Sequence, residues 1–124
     1  KKGNSELVAA INSTIEKMKS NGEYEALVAA FMPADGAIVV PADLELTGDK
    51  VLKLGTNAAF PPFEYVDGTK LEVVDMAFDS LIPALASGAI DFIAAGMSVT
   101  EERQKNVDFS SPYFESEQVI IIRK

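Results

Sequence analysis

Near the start of the chain, apolar residues recur at helical spacing. Leu7, Val8, Ile11, Ile15 and Met18 form one stripe, which predicts an amphipathic helix over 4–19. Asn4 or Ser5 can cap it, and Asn21-Gly22 stops it. A second stripe, Tyr24, Leu27, Val28 and Phe31, predicts a short helix over 23–31. Two such stripes make an ordinary packing hairpin, and mixed charges along the first helix suit a solvated outer face. The pattern then breaks. Pro33, Asp35, Gly36, Pro41, Gly48 and Asp49 punctuate 32–50 around a short apolar run at 37–40. This reads as a surface connection with one edge strand.

From residue 51 onward, short β-rich runs alternate with helical ones. Strands are predicted near 51–55, 71–75, 90–95 and 118–122. The loop after the first carries Phe60, Phe63 and Tyr65 around Pro61-Pro62, which disfavours a helix there, and Asp67-Gly68 marks a tight turn. One helix is predicted over 78–88, with Asp79 as its cap, Pro83 near its first turn and Gly88 as its stop. Residues 107–110 read as a short extended piece, and Ser111-Pro112 as a turn. Alternating strands and helices predict an α/β fold: one domain over 1–124, with a central, mostly parallel sheet flanked by helices. The 4–19 helix is expected to pack on one face of that sheet through Leu7, Ile11 and Ile15.

Composition narrows the chemistry. A chain of 124 residues with 48% apolar residues can bury a core and is not a disordered segment. Its net charge of −8 disfavours nucleic acid and anionic membrane surfaces as partners. The chain has no cysteine and no histidine. Thiol chemistry, Ser-His-Asp catalysis and the commonest zinc ligand are therefore excluded. No apolar run reaches membrane-spanning length. The abrupt start at Lys1-Lys2-Gly3-Asn4 without a leader reads as a mature, trimmed or engineered product.

The stretch 90–103 carries the most specific signal. A buried strand ends at Ala95, Gly96 breaks it, and Ser98 opens a helical turn with Glu101 in capping-box spacing. A strand, a Gly turn and a helix start leave backbone N–H groups pointing one way, a disposition that accepts anions. Arg103 lies on that turn, and its planar fork can hold a carboxylate through two parallel hydrogen bonds. Two readings remain open from this pattern alone: a carboxylate site, or a plain strand–helix junction whose Arg103 pairs with Glu101 or Glu102.

Residues 51–124 resemble one lobe of a known family. The motifs are Gly55-Thr56-Asn57-Ala58-Ala59-Phe60-Pro61-Pro62-Phe63-Glu64-Tyr65, then Met76-Ala77-Phe78-Asp79-Ser80-Leu81-Ile82-Pro83-Ala84-Leu85, then Ala95-Gly96-Met97-Ser98-Val99-Thr100-Glu101-Glu102-Arg103, then Val107-Asp108-Phe109-Ser110-Ser111-Pro112-Tyr113-Phe114. In this order they resemble the first lobe of the polar amino-acid-binding proteins that serve ABC importers, bacterial solute-binding protein family 3. The resemblance implies a single lobe of a periplasmic-binding-protein type II fold. Residues 1–31 resemble the same family's closing helices, so the chain resembles a circular permutation of one lobe, joined through 32–50. The second lobe of relatives is absent, and so is the long helix they carry before the strand at Leu71. That layout implies an engineered or truncated half, with sheet surface left for a homodimer or a domain swap to cover.

The resemblance also implies a function. It points to a periplasmic or extracellular protein, lipid-anchored in some relatives, that binds an amino acid for an ABC permease, with no cofactor. By motif position, Arg103 clamps the α-carboxylate, Gly96 and Ser98 supply backbone N–H and a hydroxyl, and Asn57, Phe60 and Phe78 line the pocket wall. The acidic partner of the α-ammonium lies on the missing lobe. An exposed Arg–carboxylate pair is worth about 1 kcal/mol or less, so the lobe alone is expected to bind weakly, at ~millimolar, or not at all. The alternatives are a purely structural half-domain and a dehydratase-like enzyme using Glu64 and Asp108 as acid and base.

Overall fold

A computed structural model describes residues 2–42, 52–58, 72–116 and 120–123. The N-terminal pattern yields two helices, α1 (Ser5–Asn21) and α2 (Glu23–Phe31). The side chain of Asn4 caps α1 by accepting the Leu7 N–H at 3.3 Å. Gly22 ends α1 at φ 83°, a left-handed conformation that glycine adopts without strain, and the chain turns directly into α2.

Among the described residues three short strands, β1 (Leu54–Thr56), β2 (Val73–Asp75) and β3 (Phe92–Ile93), form one sheet in the order β2-β1-β3. Both pairings are parallel, with Gly55 opposite Val74 on one side and Ile93 on the other. The connection from β2 to β3 passes over β1. It begins with a 3₁₀ turn (Phe78–Ser80) and continues into α3 (Leu81–Ser87), which lies on β1 and β3. The expected 78–88 helix is thus divided, and Asp79 is not its cap. Pro83 falls in the first turn of α3, where its missing N–H costs nothing. Gly88 closes the helix at φ 84°.

The core lies between α3 and the sheet. Leu81, Leu85, Ile90, Ala95 and Val107 are buried, with Leu81 and Ile90 essentially sealed. Glycine at position 55 permits this approach, because a Cβ there would overlap Ile90 Cδ1. The carboxylate of Asp91 accepts the Lys53 N–H at 2.7 Å, and Asp91 N–H donates to the Lys53 carbonyl at 2.8 Å. The two strand starts are thereby locked in register.

Three expectations are corrected. The α1 helix buries no residue; it packs on α2 rather than on the sheet through Leu7, Ile11 and Ile15. Polar ties join it to the 104–112 segment instead. Lys2 Nζ donates to the Gln104 carbonyl at 2.6 Å, Ser111 N–H to Asn12 Oδ1 at 2.8 Å, and Lys19 Nζ to the Pro112 carbonyl at 3.1 Å. The strand expected at 118–122 does not form over its described part. Ile120, Ile121 and Ile122 are 91%, 92% and 81% exposed and belong to no ladder. β-Branched composition favours a strand only where a neighbouring strand supplies hydrogen bonds. The edge strand at 37–40 is likewise absent, its backbone tied to α2 by a Val39 N–H bond to the Ala30 carbonyl.

Candidate functional site

Because the strands run parallel, their C-terminal ends share one edge of the sheet, where α/β folds bind ligands. The segments leaving the three strands meet there. Asn57 and Ala58 leave β1, and the Ala58 N–H donates to Asp75 Oδ1 at 3.0 Å. Met76 leaves β2 bonded to the Thr56 carbonyl at 3.0 Å, and Phe78 opens the 3₁₀ turn just beyond. From β3 the Ala94 N–H reaches the Gly55 carbonyl at 3.3 Å, after which the chain turns tightly. Met97 N–H donates back to the Ala95 carbonyl at 2.6 Å across Gly96.

The helical turn beyond is α4 (Glu101–Gln104), a single turn. Its cap is Thr100, whose Oγ1 accepts the Arg103 N–H at 3.2 Å. The Ser98–Glu101 capping box is therefore not formed. Thr100 carries the extended backbone a cap requires, φ −132° and ψ 154°, and position N3 is Arg103 rather than an acid.

The site residues predicted from sequence come together in part. Arg103 is half-buried, and its guanidinium carbon lies 5.6 Å from the centre of the Phe78 ring. Its Nη1 donates to the Ser98 carbonyl at 2.8 Å. Neither Glu101 nor Glu102 makes a salt bridge to it, so the plain-junction pairing is not what holds this side chain. A guanidinium has five N–H donors, and among the described residues Ser98 takes one of them. Among the described residues the side chain is thus braced from two directions, by the Phe78 ring and the Ser98 carbonyl. Asn57 is half-buried at the end of β1, and Gly96 and Ser98 follow β3. Phe60 lies outside the described residues. An open recess of about 630 Å³ is lined, among the described residues, by Ser98, Phe114, Glu115 and Ser116.

Sequence reasoning missed Thr100, Asp75 and Tyr113. Thr100 directly precedes an acidic first turn, a readable cap signal. Asp75 ends a strand, and nothing local says that it pins the neighbouring strand's exit. Tyr113 donates its hydroxyl to the Ala95 carbonyl at 3.1 Å, and only the fold brings these two residues together.

Asp108, considered as half of an acid–base pair with Glu64, is engaged elsewhere. It accepts the Gly3 N–H at 2.6 Å and pairs with Lys2 at 3.1 Å. These contacts, the Gly3 N–H first and then Lys2, hold its carboxyl below its ordinary value of 3.8. The group is an anchor for the start of α1. Glu64 lies outside the described residues. Among the described residues no cluster of acidic side chains could hold a metal ion, and no helix is long and apolar enough to cross a membrane.

Residues 67–124 match the model for bacterial extracellular solute-binding proteins, family 3. The arginine-binding extracellular protein ArtP of Bacillus subtilis (strain 168) is 37% identical over 97 residues, covering 63% of this chain and 38% of that protein. A probable histidine-binding protein of Neisseria gonorrhoeae is 34% identical over 95 residues, covering 60% and 35%. The chain therefore spans less than two-fifths of the length of these relatives. Among solved structures, the arginine-bound form of domain 1 from TmArgBP is 44% identical, covering 51% of this chain and 66% of that one, with a TM-score of 0.47.

Proposed function

We infer, from a chain that carries in residues 67–124 a segment of the bacterial extracellular solute-binding proteins of family 3, that this protein binds an amino acid through its carboxylate. Arg103 is the clamp, Gly96 and Ser98 offer backbone and hydroxyl groups, and Asn57 and Phe78 form the pocket wall, to which motif position alone adds Phe60. The observation that carries the reading is the bracing of Arg103. Its guanidinium sits over Phe78 and is tied to the Ser98 carbonyl at the ligand-binding edge of a parallel sheet. A side chain fixed in this way loses less rotamer freedom when it meets a carboxylate. Arginine- and histidine-binding relatives support amino acids as the ligand class. In this reading the amino acid is delivered to an ABC permease in the periplasm or outside the cell.

The recess beside Ser98 is open to water, and in this reading the affinity is weak, in the ~millimolar range. Titration of the 15N-labelled protein with glutamine, arginine, lysine and glutamate tests the reading. Saturable shifts at Gly96, Ser98 and Arg103 support it. Their absence up to tens of millimolar of every ligand leaves the purely structural half-domain.

The chain's arrangement is a rearranged lobe, in which the α1–α2 hairpin closes on the 104–112 segment through the ties at Gln104, Ser111 and Pro112. The protein is also a homodimer in this reading. Leu52 and Val73 are 39% and 36% exposed beside the sheet, and residues 120–122 expose three isoleucines. Soluble monomers rarely leave such surface open. Light scattering across a dilution series should show a dimer that Val73→Lys dissociates; a strictly monomeric wild type would refute it.

A further inference from the structure

We propose that Tyr113 is a positioning residue for the carboxylate site, locking the turn that presents Gly96 and Ser98. The proposal rests on the carboxylate-site reading above and adds to it a residue that acts through the Ala95 carbonyl. The Ala95 carbonyl accepts two hydrogen bonds, one from Met97 N–H at 2.6 Å and one from the Tyr113 hydroxyl at 3.1 Å. The first closes the turn across Gly96. The second ties that turn to a segment far along the chain. Ala95 itself is buried, so its carbonyl is a fixed point on which both donors converge. Glycine at the centre gives the turn wide conformational freedom, and the Tyr113 hydroxyl restrains it. Beyond it, the Ser98 carbonyl receives Arg103 Nη1. A slack turn therefore displaces both the backbone donors and the guanidinium.

The Tyr113 side chain is aligned from the other direction. The two residues before it are tied to α1, Ser111 through its N–H to Asn12 Oδ1 at 2.8 Å, and Pro112 through its carbonyl to Lys19 Nζ at 3.1 Å. The three residues after it, Phe114, Glu115 and Ser116, share the open recess with Ser98. The 111–116 strip thus runs from helix α1 to the ligand-binding turn, with the Tyr113 hydroxyl as its contact. This gives α1 a role at the site: its hold on 111–112 sets the register in which Tyr113 meets Ala95.

The test is Tyr113→Phe, which removes one oxygen and keeps the ring. Amide exchange at Gly96, Met97 and Ser98 should accelerate. The dissociation constants for L-arginine and L-glutamine should rise roughly three- to tenfold, as expected for loss of one neutral hydrogen bond. The melting temperature should stay near that of the wild type. Asn12→Ala, which suits a helix interior and deprives Ser111 N–H of its acceptor, should shift the Gly96 amide in the same direction. Unchanged exchange at 96–98 in Tyr113→Phe overturns the proposal, and so does faster exchange with unchanged affinity. If the wild type binds neither amino acid, the carboxylate-site reading falls and with it the positioning role, while the exchange data alone decide whether Tyr113 holds the turn.

Discussion

Gly55→Ala perturbs the centre of the fold by a single methyl. The new Cβ would overlap Ile90 Cδ1 and lie 3.3 Å from Leu81 Cδ2. Neither neighbour has room to retreat, since Leu81 is 0% and Ile90 2% exposed. Forcing a methyl into a packed core costs about 1–3 kcal/mol. Replacing a strand glycine by alanine returns roughly 0.5–1 kcal/mol of backbone entropy. A net loss of ~1–2 kcal/mol should remain, lowering the melting temperature by several degrees. Ile90→Val deletes the Cδ1 carbon in the way. Alone it should cost ~0.5–1.5 kcal/mol, but combined with Gly55→Ala it should recover part of the first loss. Urea unfolding of all four proteins, followed by circular dichroism, gives the cycle. A double mutant more stable than the sum of the singles by ~1 kcal/mol is expected for residues in contact. Strict additivity, or a Gly55→Ala protein as stable as the wild type, would refute the packing of Ile90 against the middle strand.

Two further predictions concern local anchors. Thr100→Ala removes the cap of α4 and should cost that turn about 1 kcal/mol, read as faster exchange at the Arg103 amide with the global melting temperature little changed. Asp108 has its carboxyl pKa lowered on folding, by the Gly3 N–H first and then by Lys2. Its contribution is therefore present above the unfolded value near 3.8 and is lost as the pH falls through the lower folded value. Acid titration should show the Gly3 amide shifting in that window and strong salt weakening the pairing with Lys2; Asp108→Asn should abolish the acid step.

The parts of the fold legible in the sequence are those set by local chemistry. Asn4 at the start of α1 and glycines at positions 22 and 88 announce their caps because side-chain reach and positive φ are properties of single residues. The parallel sheet followed from strands alternating with helices. What the sequence hid is long-range. The isoleucines at 120–122 have every preference for a strand, yet composition cannot say whether a partner strand is within reach. The α1 stripe reads as a core face, but it is only half-buried against α2, and the helix docks through Lys2, Asn12 and Lys19. Arg103 is a site candidate in the sequence because of its place after a Gly turn. Its brace on Phe78 joins segments that the chain separates by an entire strand and helix.

The central claim is that Arg103 holds a carboxylate, and it is tested most directly by comparing ligands that differ in that group alone. L-Arginine and agmatine, which is arginine without its carboxylate, are titrated into the 15N-labelled wild type and into Arg103→Lys. The lysine keeps the charge but lacks the bidentate fork. An Arg103 clamp predicts saturable shifts at Gly96, Ser98 and Arg103 with L-arginine and the wild type, none at these positions with agmatine, and a much weakened response in Arg103→Lys while the fold persists. Equal responses to the two ligands, or from the two proteins, would contradict it.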